Sequence, residues 1–455
     1  MRSIAIIGAG QTALLAAHAL HQQGYEVRLY SDKSPVDFLT RARPTGAAFR
    51  AKMALDFERE LGLEHWGETA PRSDGVHLTF CPKQGSQLLT LLGRFNEYGL
   101  AIDVRLQSAT WMREFEQRGG RIEIRDVSIR ELDEIATEHD LTIVAAGGHG
   151  ALAKLFPRNE SRCVYTKPQR YLGMVVVVGV AEVLPYAPWF FPVKFNILET
   201  EGEAFWVRWF SKGLQNCWSL LFEAKEGSAF DRFREIRTAQ EMVIRAREVI
   251  KAVCPWDYEW FKDAEPCDEH AWLVGSITSE VRDVVGTLPS GRPVLALGDT
   301  AMHLDPIGGQ GANNGNKMAR NLVECIVERT DRPFDADWMR TTFEHFWQRN
   351  RYTDVFNNLL LEPLPGAGKL LLIAQYGSTG RVDDTSPQQK LANIFCENFN
   401  DPALYTEALQ DKAKVKQLIR EACGSTFWPL ARGGLGILQG QLRQAFGMSP
   451  GHPGT

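Results

Sequence analysis

The chain has 455 residues, a formal net charge of -5 and 44% hydrophobic residues, which describes an ordinary globular protein long enough for two domains. A pI near 6.1 excludes a general basic field for nucleic acid or for an anionic membrane. No run is long and apolar enough to span a bilayer, so we expect a cytoplasmic protein.

The cysteines give a second exclusion. There are eight, and none forms a Cys-x-x-Cys pair. This usage is typical of free thiols in a reducing compartment, and it argues against a structural zinc site. We expect no metal in this protein.

The N-terminus carries a glycine motif between two strands. Ser3 to Ile7 is an apolar strand, Gly8-Ala9-Gly10-Gln11-Thr12-Ala13 opens a helix, and Val27 to Tyr30 is a second strand. In this order the first glycine makes the turn, the second admits a pyrophosphate and the alanine lets helix and sheet approach. The motif predicts a dinucleotide site at the helix N-terminus. Either Ser31 or Asp32 could meet the adenosine ribose.

Three arginines follow this unit. Arg41, Arg43 and Arg50 bracket a Pro44-Thr45-Gly46 turn before a helical stretch from Ala51 to Leu61. They could neutralise the pyrophosphate, although a solvated surface cluster is the alternative for Arg43 and Arg50. We favour Arg41 as the ligand.

The middle of the chain contains a further group of predicted strands and helices. Val76 to Cys81 is a predicted strand, Ile102 to Gly119 a helix containing Arg105, and Leu141 to Gly148 a buried strand that ends in small residues, among them Gly147. Apolar stretches then follow at hairpin-like intervals and predict a mostly antiparallel sheet: Leu172 to Val180, Phe191 to Leu198, Ala204 to Phe210 and Cys217 to Phe222. Helices are predicted at Thr238 to Val253, Trp338 to Tyr352, Lys369 to Tyr376, Gln388 to Phe399 and Pro402 to Cys423.

A second glycine-rich loop occupies residues 298–315. The apolar strand Val294 to Leu297 ends in Gly298-Asp299, passes through Asp305-Pro306 and meets four glycines before a helix. Such a loop lets the backbone approach a flat ligand, with the N–H groups of the first helical turn facing its negative edge. An ordinary strand-to-helix loop is the alternative. Asp299 could accept a hydrogen bond from a ribityl chain, or cap the turn.

The two loops together favour one FAD, bound by its adenine half at the first and by its ring at the second. His303 is the titratable side chain in the second loop and could move protons near a flavin, although a structural histidine is the alternative. Aromatic residues of the sheet could line a substrate pocket or pack in the core: Tyr171, Trp189, Trp206, Trp209 and Trp218.

Several motifs resemble one family. They are Gly8-Ala9-Gly10, Lys167-Pro168-Gln169-Arg170, Gly298-Asp299, Asp305-Pro306, Gly309-Gln310-Gly311-Ala312-Asn313 and Asn398-Phe399-Asn400. From Met1 to about Asp411 the chain resembles the oxygenase component of styrene monooxygenases and the related indole monooxygenases. The resemblance implies an aromatic-hydroxylase-like α/β fold, with a Rossmann-type FAD-binding domain interleaved with an antiparallel substrate domain and followed by a helical C-terminus.

The resemblance also implies an activity. It makes the chain an FAD-dependent monooxygenase that receives reduced FAD from a separate NADH-dependent flavin reductase and forms a C4a-hydroperoxyflavin with O2. One oxygen atom then epoxidises, hydroxylates or sulfoxidises an aromatic substrate of styrene or indole type. Single-component hydroxylases carry Asp-Gly where this chain has Ala146-Gly147-Gly148-His149, which favours dependence on a reductase.

The site residues are implied by the same resemblance and by the glycine motif. FAD contacts are expected at Gly8, Ala9, Gly10, Gln11, Thr12, Ala13, Ser31, Asp32, Arg41, Arg105, Val127, Gly147, Asp299, Pro306, Gly309, Gly311, Ala312 and Asn313. Catalysis is assigned to the loop at Pro306, Gly309, Gly311 and Ala312, whose backbone would stabilise the reduced flavin, with His303 as a further candidate.

Departures from the family pattern fall where substrate choice is made. Pro44, Gly46 and Ala48 match neither the styrene nor the indole pattern, and their small size predicts a wider pocket, with Trp206 and Trp218 as further lining candidates. The region from Lys412 is longer than the family pattern. We expect it to cover the active site or to contact another subunit, as in a homodimer.

The predicted domains follow from these elements. Residues 1–75, 100–160 and 275–330 form the FAD-binding domain, 76–99 and 161–274 the substrate domain, 331–447 a helical region and 448–455 a disordered tail. Two other functions stay open: a single-component NAD(P)H-dependent aromatic hydroxylase and a non-catalytic flavin-binding module. A flavin halogenase is disfavoured because the sequence has no Trp-x-Trp-x-Ile-Pro segment.

Overall fold

A computed structural model describes residues 2–454. The strands are β1 (Ser3–Ile7), β2 (Glu26–Ser31), β3 (Phe49–Arg50), β4 (Arg72–Cys81), β5 (Leu89–Ala101), β6 (Arg121–Ile124), β7 (Leu141–Val144), β8 (Tyr171–Val178), β9 (Pro192–Leu198), β10 (Gly202–Phe210), β11 (Asn216–Ala224), β12 (Glu265–Pro266), β13 (Trp272–Ser276), β14 (Glu280–Val281), β15 (Val285–Thr287), β16 (Pro293–Ala296) and β17 (Met302–His303).

The α-helices are α1 (Gln11–Gln22), α2 (Pro35–Thr40), α3 (Lys52–Glu60), α4 (Val104–Gln117), α5 (Ile129–Glu138), α6 (Ala239–Val253), α7 (Tyr258–Phe261), α8 (Gln310–Arg329), α9 (Ala336–Leu361), α10 (Gly366–Ala374), α11 (Pro387–Glu397), α12 (Lys412–Cys423) and α13 (Phe427–Ala445). Among these, no helix of residues 2–454 combines the length and apolar character needed to cross a bilayer.

The chain folds into two compact units. Unit 1 comprises Met1–Glu68, Ile102–Pro168 and Ile277–Asp354, and unit 2 comprises Thr69–Ala101, Gln169–Ser276 and Val355–Thr455. The predicted helical region 331–447 is therefore divided between the two units.

Unit 1 is built on a largely parallel sheet of strand order β15-β16-β7-β1-β2-β6. The central strands are buried along nearly their whole length, as a sheet covered by helices on both faces requires. Strands β2 and β7 run parallel to β1 on its two sides, and β16 runs parallel to β7. Because parallel strands end at the same sheet edge, the loops after β1, β7 and β16 lie together.

Unit 2 is built on a sheet of order β12-β8-β11-β10-β9-β4-β5, in which β13 also pairs with β8. Its pairings are antiparallel except for β4 with β9, so the predicted antiparallel texture is confirmed. Helix α6 covers this sheet with Met242, Val243 and Ile250 in a core that includes Trp206 and Phe222. The strand at Leu89–Ala101 was not among the predicted elements.

The C-terminal part differs from expectation in two ways. The predicted helix from Pro402 to Cys423 is interrupted, since α12 begins only at Lys412, and the helix α13 was not predicted. The predicted disordered tail is packed in the structure where it is described. His452 is 3% exposed and the Thr90 hydroxyl donates a 2.6 Å hydrogen bond to the Pro453 carbonyl.

Candidate functional site

The first glycine of the N-terminal motif makes a turn that other residues cannot make. Gly8 has φ +116°, and its N–H donates to the Tyr30 carbonyl at 2.8 Å. A Cβ atom added there would overlap the carbonyl oxygen of Ala145, just beyond β7. The glycine is therefore required by the close approach of two strand ends, and Ala9, which follows it, is buried.

Helix α1 begins with its N-terminus open. Gly10 is its N-cap, with no side chain to accept a hydrogen bond from the first turn, and an added Cβ there meets nothing within 4 Å. The N–H groups of Gln11, Thr12 and Ala13 therefore head the helix with no side-chain cap over them. An open helix N-terminus beside a glycine turn is the arrangement that binds a pyrophosphate, so these residues fit an FAD.

The second glycine loop has the same construction. The Asp305 side chain accepts a 3.1 Å hydrogen bond from the Ile307 N–H and fixes a single helical turn at Pro306. Gly309 then adopts φ +61° and begins α8, again without a side-chain cap. An added Cβ on Gly311 meets nothing within 4 Å. This loop can present its backbone to a flat ring.

Side chains of the first motif join the two loops. The Gln11 Nε2 atom donates to the Ala312 carbonyl at 3.3 Å and also to the Asn316 Oδ1 atom. The Thr12 side chain fills the space where Gly298 and Gly315 lack a Cβ. The structure thus brings together the two segments that the sequence analysis assigned to one cofactor.

Asp299 lies in the single turn Gly298–Thr300 that follows β16. The residue is exposed at the surface, but the protein around its carboxylate removes part of the water and raises its pKa from 3.8 to about 6. His149 and Arg282 oppose the shift, because their positive charge favours the ionised form. A poorly solvated acceptor of this kind suits a hydroxyl donor such as a ribityl chain.

His303 is placed as a structural histidine. It is 8% exposed, and its ring packs against Gly148, whose added Cβ would overlap it. The His149 ring meets it edge to face with centroids 4.7 Å apart. Burial lowers the pKa of His303 from 6.5 to about 4, so it is neutral at physiological pH. A role in moving protons near neutral pH is not supported.

The adenosine side of the motif favours one of the two open candidates. Ser31 is fully buried, and its hydroxyl donates a 2.6 Å hydrogen bond to the Lys33 carbonyl. Asp32 is exposed just beyond β2, where it pairs with the Lys33 side chain. Asp32 is therefore the better placed of the two to meet a ribose.

The predicted cationic ligands have partners of their own. Arg41 is exposed on 79% of its side chain and pairs with Asp37, whereas Arg105 is buried and pairs with Asp103 at 2.7 Å. Val127 is buried at the end of the segment after β6, and Gly147 adopts φ +90° with its carbonyl bonded to Thr300. Both arginines are therefore paired with nearby aspartates rather than with residues of the first glycine motif.

A buried polar network behind the second loop was missed by the sequence analysis. Arg50 and Glu58 form an ion pair at 2.7 Å with both side chains fully buried, and Asn316 donates to the same carboxylate at 2.9 Å. Desolvation raises the pKa of Glu58. The alternative of a solvated cluster does not apply to Arg50, because its side chain is buried in a network that includes α8, far away in sequence.

The side-chain amide of Asn313 forms hydrogen bonds with the protein backbone. Its Oδ1 accepts from the Ala51 N–H at 2.8 Å, and its Nδ2 donates to the carbonyls of Phe49 at 3.0 Å and Gly309 at 2.8 Å. The amide therefore ties β3 to the start of α8. The predicted substrate residues Pro44, Gly46 and Ala48 come just before β3 in the chain, and Ala48 is a non-glycine residue at φ +47°.

The aromatic pocket candidates lie in the core of unit 2. Trp206 is fully buried and donates to Asp257 at 2.7 Å, and Trp218 is 3% exposed and donates to the Ala181 carbonyl at 3.0 Å. Trp209 is also buried, whereas Trp189 is 40% exposed. The burial and bonding of Trp206 and Trp218 correspond to the core-packing alternative rather than to a pocket lining.

Two motifs of the resemblance are structural. Arg170 of the Lys-Pro-Gln-Arg motif pairs with Glu203 at 2.6 Å with both side chains buried. The Asn398 amide accepts from the Tyr405 N–H at 3.0 Å and donates to the Thr406 hydroxyl at 3.1 Å, which holds the turn after α11.

Comparison with known proteins finds similarity to styrene monooxygenases. Residues 148–260 match the family model described as the styrene monooxygenase A putative substrate binding domain. Styrene monooxygenase StyA of Pseudomonas fluorescens is 25% identical over 430 residues, covering 91% of this chain and 97% of that protein. The chain is styrene monooxygenase-like. StyA of Pseudomonas sp is 24% identical over 425 residues, with the same two coverages.

Solved structures resemble this styrene monooxygenase-like chain in fold. A flavoprotein/dehydrogenase from Cytophaga hutchinsonii has a TM-score of 0.59 at 14% identity, covering 97% of this chain and 99% of that one. The 2-methyl-3-hydroxypyridine-5-carboxylic acid oxygenase has a TM-score of 0.55 at 15% identity, covering 87% of this chain and 96% of that one. The flavin-dependent halogenase CmlS has a TM-score of 0.57 at 14% identity, covering 86% of this chain and 67% of that one. The predicted fold class is confirmed.

Proposed function

We propose that this chain is the oxygenase component of a two-component FAD-dependent monooxygenase. It binds reduced FAD delivered by a separate NADH-dependent flavin reductase and transfers one oxygen atom of O2 to an aromatic substrate of styrene or indole type. Epoxidation, hydroxylation and sulfoxidation are the reactions in its range. The StyA relatives are styrene monooxygenases, and the chain matches them along 91% of its length, which supports the monooxygenase assignment.

One observation supports FAD as the cofactor above all others. Two uncapped helix N-termini, at Gly10 and Gly309, belong to loops that Gln11 joins through the Ala312 carbonyl. A cofactor with a pyrophosphate at one end and a ring at the other is what two such neighbouring termini would hold. When bound in its reduced form, the flavin supplies the electrons that activate O2.

In this proposal the protein's own residues position the FAD and stabilise negative charge on its ring. The N–H groups of residues 10–13 would hold the pyrophosphate, Asp32 would meet the ribose and Asp299 would accept a hydrogen bond from the ribityl chain. The N–H groups at Gly311 and Ala312 would stabilise negative charge on the ring, since the dipole of α8 favours negative charge at its N-terminus. No acid or base is required near neutral pH, which is consistent with the neutral His303.

The small residues Pro44, Gly46 and Ala48 set substrate choice in this proposal. They leave more room than the larger side chains of the styrene and indole patterns, so the preferred substrate is a bulkier aromatic compound than styrene. Undiminished turnover of both styrene and indole, with no gain for larger analogues, would count against this assignment.

The decisive experiment is anaerobic. Purified protein is mixed with FAD and NADH, with and without an unrelated flavin reductase, and the flavin absorbance is followed before air and indole are admitted. Bleaching only with the reductase, followed by a blue indigoid product, supports the proposal. Bleaching by NADH or NADPH alone would indicate a single-component hydroxylase. Reoxidation to hydrogen peroxide with no product from a panel of aromatic substrates would indicate a non-catalytic flavin-binding module.

A further inference from the structure

Helix α13 is held in unit 2 by small residues on one face. Its buried positions are Pro429, Gly433, Gly436 and Gly440. A Cβ on Gly433 would overlap the Ile373 carbonyl, and one on Gly436 would overlap the Tyr376 ring. The helix therefore packs closely against α10 and the turn after it, and this face has a defined partner.

The opposite face of α13 is apolar and uncovered. At about 100° per residue, its large side chains fall within an arc of roughly 100° that lies across the helix from the glycines. We name this the apolar strip: Phe427 (67% exposed), Trp428 (71%), Leu435 (62%), Leu438 (53%), Leu442 (54%) and Phe446 (79%). A contiguous patch of this kind marks an interaction surface rather than a scatter of single exposed residues.

Charge around the strip has one sign. Residues 427–445 contain Arg432 and Arg443 and no Asp or Glu, and both arginines are exposed beside the apolar arc. The preceding helix α12 adds Lys412, Lys414, Lys416 and Arg420 against the single acid Glu421. The net charge of -5 for the whole chain conceals this cationic end.

We propose that α13 lies in the surface of an anionic lipid bilayer, with the apolar strip at the acyl boundary and Arg432 and Arg443 at the phosphates. Aromatic and leucine side chains on one face with arginines beside them are the pattern of interfacial helices. The helix is bound parallel to the surface and does not span it. The expectation from net charge alone, that no membrane is a partner, does not hold for this segment under this proposal.

Charge also decides between a bilayer and a second copy of the chain. A two-fold contact through the strip would bring Arg432 and Arg443 of both copies together with no acid in the helix to compensate them. An anionic surface neutralises the same arginines. This inference is independent of the proposed function. If that function also holds, the helix places the enzyme where apolar aromatic compounds concentrate.

The test is sedimentation of the full chain with vesicles. Phosphatidylcholine vesicles with and without phosphatidylglycerol are compared at low and high salt, and binding is expected with phosphatidylglycerol and weaker at high salt. The double substitution Leu435→Gln/Leu442→Gln is expected to lower the partition coefficient by more than about tenfold. Arg432→Gln/Arg443→Gln should remove mainly the part that depends on phosphatidylglycerol.

The matched control is Val382→Gln, at an apolar position of unit 2 that is 81% exposed and outside the strip. It should bind vesicles as the parent does. Thermal melting of each variant verifies folding. Failure of the parent to sediment with phosphatidylglycerol vesicles overturns the inference. So does self-association of the parent that Leu435→Gln/Leu442→Gln abolishes, since the strip would then be covered by a second copy.

Discussion

Gln11 and Ala312 are 301 positions apart in the sequence, and the side chain of the first donates a hydrogen bond to the carbonyl of the second at 3.3 Å. Each residue belongs to the first turn of a helix that begins at a glycine. The bond therefore sets the relative position of the two loops that would hold the two ends of one cofactor.

Loss of this bond should weaken FAD binding. In Gln11→Ala we expect the Kd for reduced FAD, measured anaerobically by fluorescence titration, to rise about fivefold, as loss of about 1 kcal/mol implies. Gln22→Ala is the control, because Gln22 lies at the other end of α1 and donates to the Leu61 carbonyl at 3.3 Å. Equal effects in both variants would mean that the Gln11 bond has no special part in the site.

Substitutions of the two glycines in the first motif should have different effects, one on stability and the other on FAD binding. Gly8→Ala combines φ +116° with a steric overlap at Ala145, so we expect the free energy of unfolding to fall by more than about 2 kcal/mol. Gly10→Ala has open space around its new Cβ. It should leave the stability of FAD-free protein unchanged and weaken FAD binding. Denaturant titration and FAD titration of both variants measure the two effects.

Asp299 gives a pH-dependent prediction for FAD-free protein. Its folded pKa of about 6 is above the ordinary 3.8, so the folded state binds the proton more tightly and stability falls as pH rises between these values. Asp299→Asn removes the cost of the poorly solvated charge. The variant should therefore melt at a higher temperature than the parent at pH 7, and the difference should vanish near pH 4. A constant difference at both pH values would contradict the assignment.

The buried pair behind the second loop should dominate stability. Arg50→Ala leaves the Glu58 carboxylate buried without its cation, and we expect a loss of about 3–5 kcal/mol in the free energy of unfolding. Arg41→Ala is the control, since its exposed pair with Asp37 should contribute little. Replacing both buried partners, as in Arg50→Met/Glu58→Leu, should be less harmful than Arg50→Ala. Denaturation curves of the three variants are the measurement.

Gly311 tests the contact between the second loop and the flavin ring. Because an added Cβ atom meets nothing within 4 Å, we expect Gly311→Val to fold. If the backbone there faces the ring, the variant should release more hydrogen peroxide per NADH consumed and form less product. Gly434→Val, at a similarly open helical glycine in α13, should stay coupled. Full coupling and normal FAD affinity in Gly311→Val would exclude this role for the loop.

The elements that sequence analysis predicted well are those with local causes. The strand from Ser3, the turn at Gly8 and the helix after Gly10 follow from hydrophobic pattern and glycine placement within a few residues. Burial of Arg50 was not predictable in this way, because its partner network includes Asn316 on α8. The helix α13 was missed for a related reason: Gly433, Gly434, Gly436 and Gly440 disfavour a helix locally. Close packing explains three of them, since an added Cβ would overlap Ile373 at Gly433, Tyr376 at Gly436 and His452 at Gly440.

The site shows the same division. The glycine loops were found from the sequence, whereas the roles of Trp206, Trp218 and His303 depended on which neighbours surround them. An indole side chain has the same pattern in a sequence whether its N–H meets a ligand or, as for Trp206, a buried carboxylate at 2.7 Å.

The Asn313 amide has a consequence for attempts to alter substrate range. It fastens the backbone on both sides of Arg50 to the same helical turn that would carry the flavin edge. Substitutions at residues 44–48 that shift this backbone would also strain the loop that we propose to hold the flavin ring. Selection for new substrates in that segment should therefore favour changes of side-chain size that leave the main chain from Phe49 to Ala51 where it is, and insertions there should cost coupling before they cost binding.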